Sequence, residues 1–181
     1  MRAYKGFNSN LDCTRGQGVF HYEVGKTYKE DKAQCASTGF HCVEQPIDVL
    51  TWYEGNGARF CEVEASGDIN EDGDDRISCT EMTIIRELTL EQLAMLQCLW
   101  IADHPERKVS KHVLKDFGKA TKNGVVIVEG RNPKAEGELG SMIFLVKTDR
   151  HHETIAAGAY AIDGAERLPD VKYNVLGRAV R

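Results

Sequence analysis

Apolar positions recur along this chain with two different periods. Ala3 to Phe7 reads as a short aromatic strand ended by Asn8-Ser9-Asn10, and Phe20 to Val24 as a second strand closed by Gly25. Glu30 to Ser37 reads as a helix stopping at Thr38-Gly39, where glycine supplies the C-terminal ending. Gly39 to Val43 is extended, and Pro46 holds a first helical position ahead of Ile47 to Tyr53. Arg59 to Ala65 alternates apolar and charged residues, as a half-buried strand does, and Met82 to Ile85 is another β-rich run.

From Thr89 the period lengthens. Thr89 and Gln92 form a capping box, and Leu93, Leu96 and Trp100 make one stripe of a helix running to about Ala102. Pro105 interrupts it. Val109, Val113 and Phe117 then recur every fourth residue, which predicts a second helix ended by Gly118. Val125 to Val128 is a strand, followed by a Gly-rich turn stretch from Glu129 to Gly140. Met142 to Lys147 and Thr154 to Ile162 pair as a hairpin, and Lys172 to Leu176 is the last strand. The order predicts an α+β fold. Its parts are a small mixed N-terminal sheet with short helices (1–88), a helical pair (89–124) and an antiparallel C-terminal β-region (125–181).

Composition adds boundaries. With 181 residues, 41% hydrophobic and 28% charged, the chain can fold as one domain or two small modules. No apolar stretch is long enough to span a membrane, and Met1-Arg2-Ala3-Tyr4 leads into polar residues rather than a secretory core, so a cytoplasmic protein is expected. Six cysteines occur without any C-x-x-C, which favours free thiols packed as small hydrophobes. Adjacent His41 and Cys42 point to opposite faces of an extended segment and cannot chelate one ion. Cys42 with His21 or His112 is the alternative, a nucleophilic pair.

Charge is segregated. Residues 62–75 hold Glu62, Glu64, Asp68, Glu71, Asp72, Asp74 and Asp75 with no Lys or Arg. Residues 107–122 hold Arg107, Lys108, Lys111, Lys115, Lys119 and Lys122 against Asp116 alone. The basic run reads as a helix face able to meet nucleic acid, as in a helix-turn-helix, or an acidic partner. Asp68-Ile69-Asn70-Glu71-Asp72-Gly73-Asp74 matches the first half of a calcium loop, making Asp68, Asn70, Asp72 and Asp74 candidate ligands. The twelfth position is Cys79 instead of a carboxylate, so an acidic hairpin turn with no metal is expected. No Walker loop, G-x-G-x-x-G or G-x-S-x-G is present, which favours a binding protein over an enzyme.

Ala3-Tyr4-Lys5-Gly6-Phe7-Asn8, Tyr22-Glu23-Val24-Gly25-Lys26-Thr27-Tyr28, Gly39-Phe40-His41-Cys42, Pro46-Ile47-Asp48-Val49-Leu50 with Trp52-Tyr53, and Cys61-Glu62-Val63-Glu64 form a recognisable series. It resembles an uncharacterised domain family of bacteriophages and of prophages in gut Firmicutes, and covers about the first 88 residues. That resemblance implies a phage accessory protein in the bacterial cytoplasm, binding a host protein or protein–nucleic-acid complex stoichiometrically. An inhibitor of host defence, such as of a CRISPR nuclease, fits it. On that reading the segregated charges, Arg107, Lys108, Lys111, Lys115, Lys119 and Lys122 with Asp72, Asp74 and Asp75, are the contact residues. The series is also distantly similar to the ADP-ribosyltransferase fold, which would imply an enzyme using NAD through Tyr4, His41, Tyr53, Glu62 and Glu64. Otherwise no cofactor is expected.

Overall fold

The computed structural model describes residues 1–15, 18–55, 57–73 and 76–181. It divides into two compact units, Met1–Thr89 and Leu90–Arg181. Strand dominates both, and the α+β class holds in its coarse form, with a single α-helix among the described residues.

In the first unit the strands are β1 (Arg2–Phe7), β2 (Asp12–Cys13), β3 (Phe20–His21), β4 (Thr27–Lys29), β5 (Phe40–Val43), β6 (Arg59–Glu71) and β7 (Arg76–Leu88). A 3-10 helix covers Pro46–Thr51, entered at Pro46. Every pairing is antiparallel, so the expected mixed sheet is not what forms. β6 and β7 make a long hairpin, β1 lies along the other edge of β6, and β5 bridges β7 back to β1. The sheet thereby closes on itself and hides its edges from further pairing. Ala3, Phe7, Tyr22, Phe40, Val63, Met82 and Ile84 fill the interior.

The helix expected over Glu30–Ser37 does not form. That segment has no apolar stripe to bury, and its polar groups are drawn to the neighbouring strands. Glu30 N–H donates to Thr80 O, Cys35 N–H to Asn70 Oδ1, and Gly39 N–H to the Glu30 carboxylate. Gly39 lies at φ +87°, and a Cβ there would sit 2.9 Å from Cys79 O and 3.0 Å from Ala33 Cα. Gly39→Ala is therefore expected to cost at least about 2 kcal/mol, through left-handed backbone and contact with main chain. Urea denaturation checks this; a loss near zero would mean the β5 entry can move.

The second unit contains α1 (Leu90–Asp103), β8 (Val113–Ala120), β9 (Val125–Gly137), β10 (Met142–Thr148), β11 (Thr154–Ala161), β12 (Lys172–Asn174) and β13 (Ala179–Val180). α1 buries Leu93, Ala94, Gln97, Trp100 and Ile101 and packs on β9, β10 and β11. The predicted hairpin forms, with Phe144 opposite Ala159. The predicted second helix is instead β8. A spacing of four is also a multiple of the strand period, so Val109, Val113 and Phe117 satisfied either pattern.

The C-terminal region is not purely antiparallel, since β8–β9 and β9–β10 are parallel pairs. Only Thr121 to Gly124 separate β8 from β9. At about 3.3 Å per extended residue, such a link cannot return the chain along a flat neighbour. The strands bend instead and stack as successive turns of a coil, with a register shift in β8 between Lys115 and Phe117. The expected Gly-rich turns from Glu129 are mostly β9. Gly137 serves close packing there, because a Cβ would lie 3.2 Å from Ile162 and 3.3 Å from Ala120.

Candidate functional site

Strand alternation puts Ala3, Lys5 and Phe7 on one face of β1 and Tyr4 and Gly6 on the other. Lys5 thus occupies a core-facing register position and is only 5% exposed. Its Nζ donates to His41 O at 2.7 Å and lies 5.3 Å from the Tyr22 ring centroid and 5.6 Å from that of Phe7. Among the described residues no carboxylate forms an ion pair with it. A buried cation without a counter-ion is costly, so its neighbourhood deserves a functional explanation.

Lys5 lines a cavity of about 700 Å³ in the first unit. β1 and β5 contribute Tyr4, His41 and Cys42; the segment around β2 and β3 contributes Cys13, Arg15 and Tyr22; the 3-10 helix and its exit contribute Val49, Trp52 and Tyr53. Arg76 from β7 completes the basic groups, and Glu30 is the single acid among the described lining residues. In a chain of net charge −5, this wall is positive and aromatic.

The aromatic groups are fixed by packing. Tyr22 meets Phe7 edge-on at 5.2 Å and belongs to a cluster with Phe20, Tyr28 and Phe40. Burial, followed by nearby anionic groups, raises its phenol far above the usual tyrosine range, so it stays neutral. Tyr53 packs against Gly6, where a Cβ would be 2.9 Å from Tyr53 Cβ. Its hydroxyl donates to Cys13 Sγ at 3.2 Å, and the Arg15 guanidinium lies 5.4 Å from its ring. Arg76 lies 5.3 Å from the Trp52 ring, and the Trp52 indole N–H is buried with no acceptor among the described residues.

His41 is half-buried, and its Nε2 accepts from Ala36 N–H at 3.0 Å. Burial first, and then the Lys5 and Arg76 charges, hold its pKa below the ordinary histidine value. The ring is therefore neutral at pH 7, as an accepting nitrogen requires.

Of the five residues implied by the transferase resemblance, Tyr4, His41 and Tyr53 line the cavity while Glu62 and Glu64 do not. Glu62 is buried but held by Arg2 and Arg86, each at 2.7 Å, and Glu64 is exposed. A register shift follows Glu62 on β6. Cys42 is not paired with His21, whose Nδ1 binds Asp12; its thiol meets Cys79, and His112 lies in the second unit.

The basic run is not a helix face. Arg107, Lys108 and Lys111 lie in the segment after α1, Lys115 and Lys119 on β8, and Lys122 in the following turn. Lys119 is paired with Asp170 at 2.7 Å, and Arg107 lies over Trp100. The acidic stretch is a hairpin, as expected, with β6 continuing to Glu71. Asp72 pairs with Arg76 at 2.6 Å, and Asn70 Oδ1 accepts from Cys35 N–H. Asp68 is exposed on β6; Asp74 and Asp75 lie outside the described residues. Among the described residues no group of three or more His, Cys, Asp or Glu is placed to hold a metal, and no helix is long and apolar enough to cross a membrane.

Sequence reasoning missed Lys5, Cys13, Arg15, Trp52 and Arg76. A signal existed for Lys5 alone: it shares the parity of Ala3 and Phe7, a charge in the apolar register of a strand.

No curated protein and no solved structure matches this chain. A family model does match residues 1–96, over half of the chain and enclosing the whole cavity wall. The chain belongs to the family described as Domain of unknown function (DUF7666).

Proposed function

We propose that the N-terminal unit binds a small anionic ligand carrying a flat ring, of the nucleotide class, in the cavity around Lys5. The observation that carries this reading is the Lys5 ammonium, 5% exposed and without a carboxylate partner among the described residues. An anion in the cavity would supply the missing counter-charge, and charge-assisted hydrogen bonds are the strong ones in a partly dry site. Arg15 adds positive charge at the wall, where it lies over the Tyr53 ring, and Trp52 and Tyr53 supply aromatic surface to the lining. A volume of about 700 Å³ suits a ligand of that size.

NAD has this chemistry, and Tyr4, His41 and Tyr53 keep that part of the transferase resemblance in play. Binding is favoured over ADP-ribosyl transfer, because Glu62 is tied between two guanidinium groups outside the cavity. The alternative is a phage accessory protein that binds a host macromolecule and inhibits host defence; its basic contact residues would then be presented by β8 and two loops rather than by one helix face.

Calorimetric titration of the full chain with ADP, NAD, adenosine and inorganic phosphate tests the reading. ADP or NAD should bind with Kd below about 1 mM, more tightly than adenosine or phosphate, and more weakly as salt rises. Absence of heat with both nucleotides, or equal affinity for adenosine and ADP, would overturn it.

A further inference from the structure

We propose that Cys13 is a nucleophilic thiol, its Sγ held by the Tyr53 hydroxyl at the wall of the cationic cavity, that bonds covalently to an anionic electrophile seated there. This rests on the reading that the cavity accepts anions and adds a reactive group to it.

The six thiols are not alike. Cys42, Cys61, Cys79 and Cys98 are buried, which leaves Cys13 and Cys35 half-exposed. Cys35 Sγ donates to Asn70 O at 3.0 Å and to Arg76 O at 3.5 Å. A thiol that donates to carbonyls is held in its protonated, unreactive form. Cys13 has the opposite arrangement: Sγ accepts from Tyr53 O–H at 3.2 Å and faces the cavity shared with Lys5 and Arg15. A hydrogen-bond donor and two cations stabilise a thiolate there. Burial opposes ionisation of Cys13, but the Lys5 charge, the Tyr53 hydroxyl and Arg15 outweigh it and hold the thiol below the ordinary range. Burial and then Asp72 push Cys35 the other way. Burial and the hydrogen bond to Cys13 raise the Tyr53 phenol, so its proton stays available to donate.

The chemistry needs no oxidant. The thiol proton passes to water, and the Sγ lone pair attacks an electrophilic carbon next to the anionic group. The S–C bond forms as the bond to the leaving group breaks, and that group departs with the bonding electrons. With iodoacetate as probe, Cys13 becomes S-carboxymethylcysteine and iodide is released.

The full chain is treated with iodoacetate or iodoacetamide across pH 5–9, and each cysteine peptide is quantified by mass spectrometry. Cys13 should react about tenfold or more faster than Cys35 at pH 7, the midpoint of its rate-against-pH curve lying at lower pH than that of Cys35. The ratio of iodoacetate to iodoacetamide rates should be higher at Cys13 than at Cys35, and Lys5→Met should reduce it. Tyr53→Phe should slow Cys13 alone; if that variant loses its fold by circular dichroism, the wild-type pH profiles decide. Equal rates and equal midpoints for Cys13 and Cys35 would overturn the proposal. A fast Cys13 with no preference for iodoacetate would overturn its anionic-substrate part. Titration with ADP is a separate readout, so nucleotide binding without a reactive Cys13 refutes the nucleophile and leaves the ligand site standing.

Discussion

Lys5→Met is expected to weaken ADP binding by about tenfold to a hundredfold, the worth of one charge-assisted hydrogen bond. The same change should leave the thermal midpoint unchanged or raise it. In the ligand-free protein the ammonium is 5% exposed and donates a hydrogen bond to His41 O. The Tyr22 and Phe7 rings recover part of the lost hydration, but among the described residues no carboxylate forms an ion pair with the ammonium to recover the rest. Methionine has a similar length, fills the same interior register between Ala3 and Phe7, and carries no charge to desolvate. A site kept at a cost to stability is the usual mark of function. Calorimetry gives the affinity and a thermal melt gives the stability. If instead the midpoint falls by more than about 5 °C, equivalent to roughly 1 kcal/mol, while ADP binds as before, Lys5 is a structural pin between β1 and β5 and the ligand site fails with it.

How much of this was legible beforehand differs by element, for physical reasons. β1, β5, β6 and β7 were visible because alternation at period two is unambiguous when charged residues separate apolar ones, as in Arg59 to Ala65. β8 was misread because Val109, Val113 and Phe117 obey both periods, and only the parallel partner β9 decides between them. The Glu30–Ser37 segment was misread because its hydrogen bonds go to Asn70 and Thr80, residues far along the chain. The cavity belongs to this second kind. Tyr4, His41 and Tyr53 were singled out through a family likeness. Cys13 and Arg76 become relevant only when the closed sheet and the 3-10 helix bring them to one wall. Glu62 and Glu64 show the converse: a sequence spacing suited to paired carboxylates, undone by two cross-strand arginines and a register shift.

Phe7→Ala should be the most destabilising single truncation in the first unit, costing about 3–5 kcal/mol. Phe7 is 0% exposed at the end of β1, edge-on to Tyr22 at 5.2 Å, with Lys5 Nζ above its ring. Removing the ring leaves a void that Ala3 and the strand backbone cannot fill, because β1 is held by β6 through six consecutive residues. Tyr22, which lines the cavity, loses its edge contact with Phe7, so nucleotide affinity should drop in the fraction that remains folded. Urea denaturation followed by circular dichroism gives the loss, with an unchanged slope showing that the unfolded state is not what altered. Phe117→Ala on β8 is the comparison: that ring is 45% exposed and should cost no more than about 1 kcal/mol. A Phe7→Ala loss as small as that of Phe117→Ala would mean that the closed sheet collapses around the gap, and the cavity wall with it.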